Sequence, residues 1–447
     1  MESEKKSHLA DLREALADNN LTAAHRVIDA LHPAETALLL ESLPVPEREV
    51  VWSLVDEETG GEILVELNDE VRQGLLEVMD AEAVVAAAEG MELDDLADVV
   101  ADLPEDMSET VIKLLPAEDR EQLKSVLAYP EDSAGGIMDP DVIAVRSDIT
   151  LDVVMRFLRR SSELPDGTPA VFIVDRENNF IGQLYLTKLV THNPDDLVGD
   201  VMDTSVLPIP ADRPATEVAQ EFQNRDLYSA AVVDEDGKLI GEITADDIMD
   251  VIQEQADHDI LSMAGLDEED DMFAPVVTST QRRAIWLGVN LATAFLAAAV
   301  VALFKPALEK IVILAVLMPV VASMGGIAGS QTLTLMIRGL ALGRVQDSNA
   351  RWLLFKELSV GALNGLAWAV VVGFITILFF STWRVGTVIA AALIISLLTA
   401  AFAGFLIPLI LNKLKIDPAL AGTVILTTVT DVIGFATFLG LGTLFLM

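Results

Sequence analysis

Residues 311–337 read IVILAVLMPVVASMGGIAGSQTLTLMI, a run of 27 residues without a charged side chain. A helix that crosses the hydrocarbon core of a bilayer needs about 20 apolar residues, so this run is long enough to span a membrane. Apolar stretches of comparable length surround it at 284–304, 353–380, 385–411 and 419–447. We therefore predict an all-α transmembrane domain of five helices over residues 281–447.

The remainder of the chain differs sharply from this apolar block in charge. Residues 1–280 carry 18 Lys and Arg against 65 Asp and Glu, whereas residues 281–447 carry 11 against 5, and the whole chain has a net charge of −41. An acidic body of this kind repels nucleic acids and anionic lipid headgroups and attracts multivalent cations. We expect divalent cations as partners, and no nucleic acid. The chain has no cysteine, which excludes disulfides and thiolate metal sites.

An internal repeat occupies the first 130 residues. An apolar residue recurs every twelve positions from Leu31 to Leu127, and turn or capping residues follow most of these positions. Each unit is predicted to be a helix of about two turns followed by a bend. Units of this size bury their apolar faces by stacking on their neighbours. Residues 1–130 are therefore predicted to form an all-α superhelical domain suited to docking.

A second repeat follows, in which IMDPDVI at 137–143 recurs as VMDTSVL at 201–207, and AVFIVD at 170–175 recurs as SAAVVD at 229–234. Both copies combine β-branched strands with a following helix, and the first carries an extra loop at 162–167. The duplication resembles a tandem pair of cystathionine-β-synthase-type (CBS) domains. The resemblance implies α/β copies at about 137–195 and 201–250, within residues 131–250, that pack face to face and either bind an adenosyl ligand such as ATP or couple to a partner domain.

Asp431 is the sharpest functional signal in the apolar block. It lies within TTVTDVIG at 427–434, well inside the fifth stretch. A carboxylate at that depth is costly unless a partner compensates it. Protonation with hydrogen bonds to the threonines, or an ion pair with Lys356, would explain it structurally, and a place on an ion pathway would explain it functionally. Because one carboxylate per chain is a poor divalent site, we predict a two-fold axis that brings two Asp431 side chains around one hydrated cation.

The second stretch combines a proline with clustered glycines and hydroxyls. These residues predict a helix that is broken or closely packed beside protein or an aqueous cavity, and a small-residue packing face is the simpler alternative. The candidate pore-lining residues are Gly325, Gly326, Ser330, Thr427, Thr428 and Gly434. Asp417 before Pro418 is assigned a structural role as a helix N-cap. Glu309 and Glu357 lie near membrane boundaries, where we expect them to be hydrated.

The charges that flank the spans predict their orientation. With the N-terminus on the cytoplasmic side, the inner junctions carry seven Lys and Arg and the outer loops carry three. The first residues also lack the apolar core of a secretory signal. We therefore expect an inner-membrane protein with a cytoplasmic N-terminus and, after five spans, a C-terminus outside.

A connecting segment, predicted over residues 251–280, leads from the second repeat to the first span. Asp247, Asp250, Glu254 and Asp257 are spaced by three, four and three, which places them on one face of a helix, where like charges repel. A solvated face is the simplest interpretation. The position directly before the first span favours a second one, in which acids of the N-terminal domain face this stripe and bridging cations offset the repulsion.

At this point the order of parts resembles the MgtE family of magnesium channels. The resemblance covers nearly the whole chain and rests on YPEDSAGGIM at 129–138, on the glycine-rich second span, and on Asp417-Pro418-Ala419 followed by Asp431. It implies a homodimer with a helical N-terminal domain, tandem CBS domains, a connecting plug helix and a pore along the two-fold axis. It also implies that Asp431 is the pore carboxylate. The acids implied to hold cytoplasmic Mg²⁺ in the closed state are Asp94, Asp98, Asp226, Asp247, Asp250 and Asp259. We add Asp257, which lies on the acidic helix face of the connecting segment.

Two departures from the family pattern bear on ion handling. Ile327 stands where the family has an asparagine, and Gln255 and His258 stand where it often has acids. We expect altered selectivity and weaker or retuned Mg²⁺ sensing. The chain also lacks a phosphate-binding loop of the GxxxxGK[ST] type, so no ATP-driven or enzymatic step is predicted. The hypothesis is a passive Mg²⁺ channel closed by cytoplasmic Mg²⁺. The alternatives are an exchanger coupled to Na⁺ or H⁺, and a nucleotide sensor anchored in the membrane.

Overall fold

The computed structural model describes residues 2–88, 91–160, 168–266 and 271–447, so the predicted loop at 162–167 lies outside the described residues. The chain divides into two compact units. The first runs to Ala256 and includes a short later segment that ends at Pro275, and the second holds the rest of the chain from Asp257 to Met447. The domain boundaries inferred from the sequence remain predictions.

Ten helices form the N-terminal domain of the described chain. They are α1 (Glu2–Ala17), α2 (Leu21–Ile28), α3 (Pro33–Glu41), α4 (Val45–Trp52), α5 (Glu57–Val65), α6 (Asp69–Leu76), α7 (Ala81–Ala88), α8 (Leu93–Ala101), α9 (Glu105–Leu114) and α10 (Ala117–Val126). From α2 onward each has 8 to 10 residues, which confirms the two-turn repeat. The repeated positions form much of the core, where Leu43, Leu67 and Leu103 are buried, while the last of them, Leu127, is exposed.

The α/β duplication is also confirmed. The elements are β1 (Ala144–Arg146), α11 (Leu151–Leu158), β2 (Ala170–Val174), β3 (Phe180–Tyr185), α12 (Leu186–Thr191), α13 (Val198–Val201), β4 (Ile209–Pro210), α14 (Ala215–Arg225), β5 (Ser229–Val233) and β6 (Leu239–Thr244). Both three-stranded sheets have the same order, with a parallel pair followed by an antiparallel pair. Phe172 and Val174 of the first sheet share a buried cluster with Ala231 and Leu239 of the second, so the copies pack against each other.

One continuous core joins the N-terminal helices to the second CBS copy, which places α8 beside β6 and the start of α15 (Ala245–Ser262). Residues 271–275 are fixed to the N-terminal domain by a buried ion pair. Arg48 Nη2 donates to Asp271 Oδ2 at 2.8 Å, and both side chains are 4% exposed. The guanidinium also donates to the carbonyl oxygens of Leu40 and Leu43 at 3.0 and 3.1 Å.

The second unit is helical. Its remaining elements are α16 (Val276–Leu303), α17 (Lys305–Lys310), α18 (Val312–Ala341), α19 (Asp347–Phe380), α20 (Trp383–Lys413) and α21 (Pro418–Leu446). Within the described residues, five of these helices are long and apolar enough to cross a membrane, as predicted. Helix α20 packs against α18, α19 and α21 and forms the centre of the bundle. The short α17 was not predicted from the sequence.

Helix α18 is continuous through Pro319, so the predicted break is wrong and the predicted close packing is right. A Cβ at Gly404 would lie 2.6 Å from the carbonyl oxygen of Gly329, and a Cβ at Gly329 would lie 3.0 Å from the Leu426 side chain. A proline removes one helix hydrogen bond, and the turns that flank Pro319 are packed through the buried side chains of Leu317 and Val321. The expectation of a hydrated Glu357 is also wrong, because this side chain is buried between helices.

Candidate functional site

Asp431 lines a cavity of about 990 Å³ between α18 and α21. The cavity is wide and open, and apolar residues such as Ile327 and Leu335 share its lining with the half-buried carboxylate and with five hydroxyl or amide side chains, namely Ser323, Ser330, Gln331, Thr334 and Thr427. A water molecule occupies about 30 Å³ of liquid, so a cation with six waters needs on the order of 180 Å³. The cavity is therefore large enough for a hydrated divalent cation, and its lining presents oxygen donors to the outer surface of the hydration shell.

The helical period decides which predicted residues line this cavity. Gly326, Ser330 and Thr427 line it. Gly325 and Gly434 lie outside this lining, because they face the other side of their helices, against Ser396, and their predicted place in a pore stays a prediction. Residues four apart share one face of a helix. Steps of four residues lead from Gly326 to Ser330, from Ile327 to Gln331 and from Ser330 to Thr334. The helical period would therefore have identified Gln331 and Thr334 from the sequence.

Thr428 also lies outside the cavity lining. Its hydroxyl donates to the carbonyl oxygen of Val424 at 2.7 Å, which is a bond within α21. Of the structural explanations for Asp431, the ion pair with Lys356 is not formed, since Lys356 Nζ lies 2.5 Å from Glu357 Oε1. Asp417 has the predicted cap geometry, because its carboxylate accepts from the backbone N–H groups of Ala419 and Leu420, both at 2.8 Å.

A second group of acids lies in the first unit, where α8 faces the start of α15. Asp94 is 7% exposed, and within the described part of the chain its Oδ1 atom has no hydrogen-bond partner. Burial raises the pKa of Asp94 to about 9, and the charge of Asp247 contributes next. Burial also raises the pKa of Asp247, although Thr244 donates to its carboxylate through both N–H and hydroxyl at 2.8 Å. The structure thus brings these two predicted residues together.

Several members of this acidic cluster were missed. Burial, and after it the charges of other acids in the cluster, raises the pKa of Glu92 and of Glu242 to about 7 and that of Asp95 to about 6. Burial also raises the pKa of Asp139, whose backbone pairs with that of Glu242. The sequence feature that could have identified Glu242 is an acidic residue within a predicted buried strand. So many buried carboxylates require protons or metal cations as counterions.

A neighbouring group of acids surrounds Arg72. The guanidinium binds Asp102 through Nε at 2.5 Å and Asp69 through Nη2 at 2.7 Å. Burial raises the pKa of Asp98 to about 7 against the opposing effect of Arg72. Burial likewise raises the pKa of Glu254 to about 7, with the charges of Asp69 and Asp250 contributing after it. The structure therefore places Asp98 with this group.

The other predicted acids are distributed more widely. Burial raises the pKa of Asp250, whose charge also acts on Asp95. Asp226 ends α14 in the left-handed conformation, with a φ of 53°. Asp257 and Asp259 lie on the last turns of α15, in the second unit. A cation-binding role for all of them remains a prediction.

Comparisons with known proteins agree with this division of the chain. Residues 31–132 match the MgtE intracellular N domain, residues 134–194 and 198–254 match the CBS domain, and residues 318–441 match MgtE, described as a divalent cation transporter. The solved structure of "the cytosolic domain of the Mg2+ channel MgtE in complex with ATP" is similar with a TM-score of 0.50 and 31% identity, over 54% of this chain and 99% of that one.

Two curated relatives match over almost their entire length. "Magnesium transporter MgtE" of Thermus thermophilus is 30% identical over 448 residues, which cover 97% of this chain and 98% of that protein. "Magnesium transporter MgtE" of Bacillus subtilis is 27% identical over 431 residues, which cover 96% of each. Together with the five apolar helices, this likeness shows that the chain is a multi-pass membrane protein and belongs to the MgtE family of divalent cation transporters.

Proposed function

We propose that two copies of this chain form a channel that passes Mg²⁺, or a related divalent cation, down the membrane potential. The observation that carries the proposal is the Asp431 carboxylate in a cavity lined with oxygen donors and large enough for a hydrated ion. The names of the curated relatives support Mg²⁺ as the ion. A dication gains about 4.6 kcal/mol per 100 mV on crossing the membrane, so no further energy source is required.

Charge supports the two-fold arrangement. Among the described residues, Asp431 is the one charged residue in the cavity lining and offers a single negative charge, whereas a second copy across the axis doubles it and matches a dication. Mg²⁺ gives up its waters reluctantly, so two carboxylates that contact the hydration shell suffice. Ile327 also lines the cavity and is 57% exposed, and this apolar side chain is expected to relax selectivity among divalent ions.

The acidic cluster of the first unit is proposed as the sensor of cytoplasmic Mg²⁺. Bound cations would replace the protons that Asp94, Asp247 and their neighbours otherwise require, and would hold α8 against α15. Their loss would leave like charges in contact and favour separation, which we assign to the open state. The excess of Lys and Arg at the predicted inner junctions supports an inner-membrane location with the N-terminus inside and the C-terminus outside.

ATP is proposed as a ligand of the CBS pair, by analogy with the solved cytosolic domain. Triphosphate binding needs cationic donors. Arg146 and Arg176 both pair with Asp148, at 3.5 and 3.4 Å, in exposed ion pairs that contribute little to stability. These arginines are therefore available to phosphate oxygens, which supports the proposal.

Mg²⁺ flux into proteoliposomes tests the channel. We expect Asp431→Asn and Asp431→Ala to lower the initial rate by at least about tenfold, because the charge that attracts the ion into the cavity is lost. Glu309→Gln is the matched control, since Glu309 is an exposed acid of the same domain and should not affect flux. Unchanged flux in the Asp431 variants would exclude this pore. Flux that requires a Na⁺ or proton gradient would favour the exchanger instead.

A further inference from the structure

A second, smaller cavity of about 130 Å³ lies among α18, α19 and α20. Its polar lining consists of Gln331, Thr332, Lys356, Glu357 and Asn364. Gln331 also lines the Asp431 cavity, so the two cavities adjoin at this side chain. The pore proposal leaves the smaller cavity unused, although it contains a buried carboxylate near the predicted inner end of α19.

Glu357 is 7% exposed, and each of its oxygens has a partner. Thr332 Oγ1 lies 3.3 Å from Oε2, and Lys356 Nζ lies 2.5 Å from Oε1. Adjacent residues do not share a face of a helix, so the Lys356 stem has to fold back to make this contact. The Lys356 side chain is 45% exposed and can extend into water, as lysines near membrane boundaries do. Its ammonium group is thus the monovalent counterion of a buried carboxylate, and it leaves that carboxylate when the lysine side chain extends into water.

Charge and donor chemistry determine which other cation fits. The available donors are one carboxylate, the Thr332 hydroxyl and the amide oxygens of Gln331 and Asn364, which together carry a single negative charge. This donor set suits a small, largely dehydrated monovalent cation.

We propose that Glu357, Thr332, Gln331 and Asn364 form a site for a small monovalent cation such as Na⁺, and that this cation competes with the ammonium group of Lys356. The bound ion connects α18, which lines the Asp431 cavity, to α19. Occupancy therefore stabilises the contact between these two helices beside the pore. The proposal does not depend on channel activity.

Thermal unfolding of the full-length protein in detergent tests this site. NaCl replaces N-methylglucamine chloride at constant ionic strength, without Mg²⁺ and with a chelator present. We expect the Tm of the wild type to rise by about 3 °C for each tenfold increase in Na⁺ above the dissociation constant. Glu357→Gln and Thr332→Val should abolish or strongly weaken this rise, and Asp431→Asn should retain it.

The Lys356→Met variant distinguishes between two explanations of the Glu357 contact, a cation site and a purely structural ion pair. Without Na⁺ this variant leaves Glu357 buried and uncompensated, so its Tm should be lower than that of the wild type. Added Na⁺ should restore the Tm, at concentrations about tenfold lower than the wild type requires. A lower Tm that Na⁺ does not restore would show a purely structural pair and overturn the proposal. An unresponsive wild type, or a response lost in Asp431→Asn but kept in Glu357→Gln, would overturn it as well.

Discussion

Single residues of the acidic cluster show how the fold creates a requirement for cations. Asp94 is buried on α8, and among the neighbouring charges that of Asp247 raises its pKa the most. Asp247 follows Asp94 by more than 150 positions in the chain. Neither residue is unusual by itself. The requirement arises only when folding removes both carboxylates from water and places them together.

This burial predicts the pH dependence of stability in a fragment of residues 1–275. Burial raises the pKa of Asp94 from its ordinary 3.8 to about 9, so between these values the folded state holds more protons than the unfolded state. The free energy of unfolding without Mg²⁺ should therefore fall as pH rises through this window. Added Mg²⁺ should flatten the dependence, because the metal replaces the protons.

Urea titrations with a chelator, repeated across that pH range, measure this effect. Asp94→Asn should reduce the slope. Glu121→Gln, which changes an exposed acid of the same domain, should leave it unchanged. A metal-free fragment whose stability is independent of pH would show that the acids are hydrated rather than buried together.

The sequence predicted only part of the cluster. Asp94 and Asp247 were expected to face each other, because their helices carry acids at helical spacing. Glu242 and Asp139 were not expected, since they come together through backbone pairing between segments about a hundred residues apart in the chain. The face of a helix on which a residue lies can be predicted from its near neighbours in the sequence, whereas backbone pairing between distant segments cannot.

Among the structural elements, residues 271–275 are held by a specific long-range contact. Arg48 and Asp271 are separated by 223 residues and form a buried pair. In a fragment of residues 1–275, Arg48→Met should lower the free energy of unfolding by about 3–5 kcal/mol, because Asp271 stays buried without a counterion. Asp271 Oδ1 accepts from the backbone N–H of Phe273 at 2.7 Å and keeps that bond.

The matched control is Arg13→Met, which removes an exposed pair with Glu47 at 3.8 Å. It should change the free energy of unfolding by about 0–1 kcal/mol. Urea denaturation measures both variants. Equal effects of the two substitutions would contradict the burial of the Arg48 pair.

Helices were easier to predict than their contacts. The five spans and the two-turn repeats follow from apolar runs, prolines and capping residues within a few positions of one another. Helix α16 nevertheless begins at Val276, before the predicted 284, because polar residues around Arg282 and Arg283 extend it beyond its apolar part. The face of α18 that lines the cavity depends on which side packs against α20, and glycines alone did not identify that side.

At the scale of the whole molecule, the division of charge was sufficient to predict a membrane block and an acidic soluble block. The assembly is the remaining prediction. Since the chain has no cysteine, Thr427→Cys introduces a single thiol one turn from Asp431, in the cavity lining. A short bifunctional maleimide should link two copies into a species of twice 48.1 kDa.

The control for this experiment is a cysteine on an exposed position of the same span that does not line the cavity, such as Leu444→Cys, which should cross-link far less. Light scattering of the detergent-purified protein gives an independent mass. A monomeric mass, with no cross-link through Thr427→Cys, would contradict the two-fold pore.

The glycine contacts between α18 and α20 limit how this domain can move. A Cβ at Gly404 would lie only 2.6 Å from the carbonyl oxygen of Gly329, so this crossing of the two helices admits glycine and no larger residue, and we expect it to resist gradual sliding. The remaining choices are a fixed register or a jump of a full turn, about 5.4 Å. Opening and closing should therefore be abrupt events in which the two helices travel as one rigid piece.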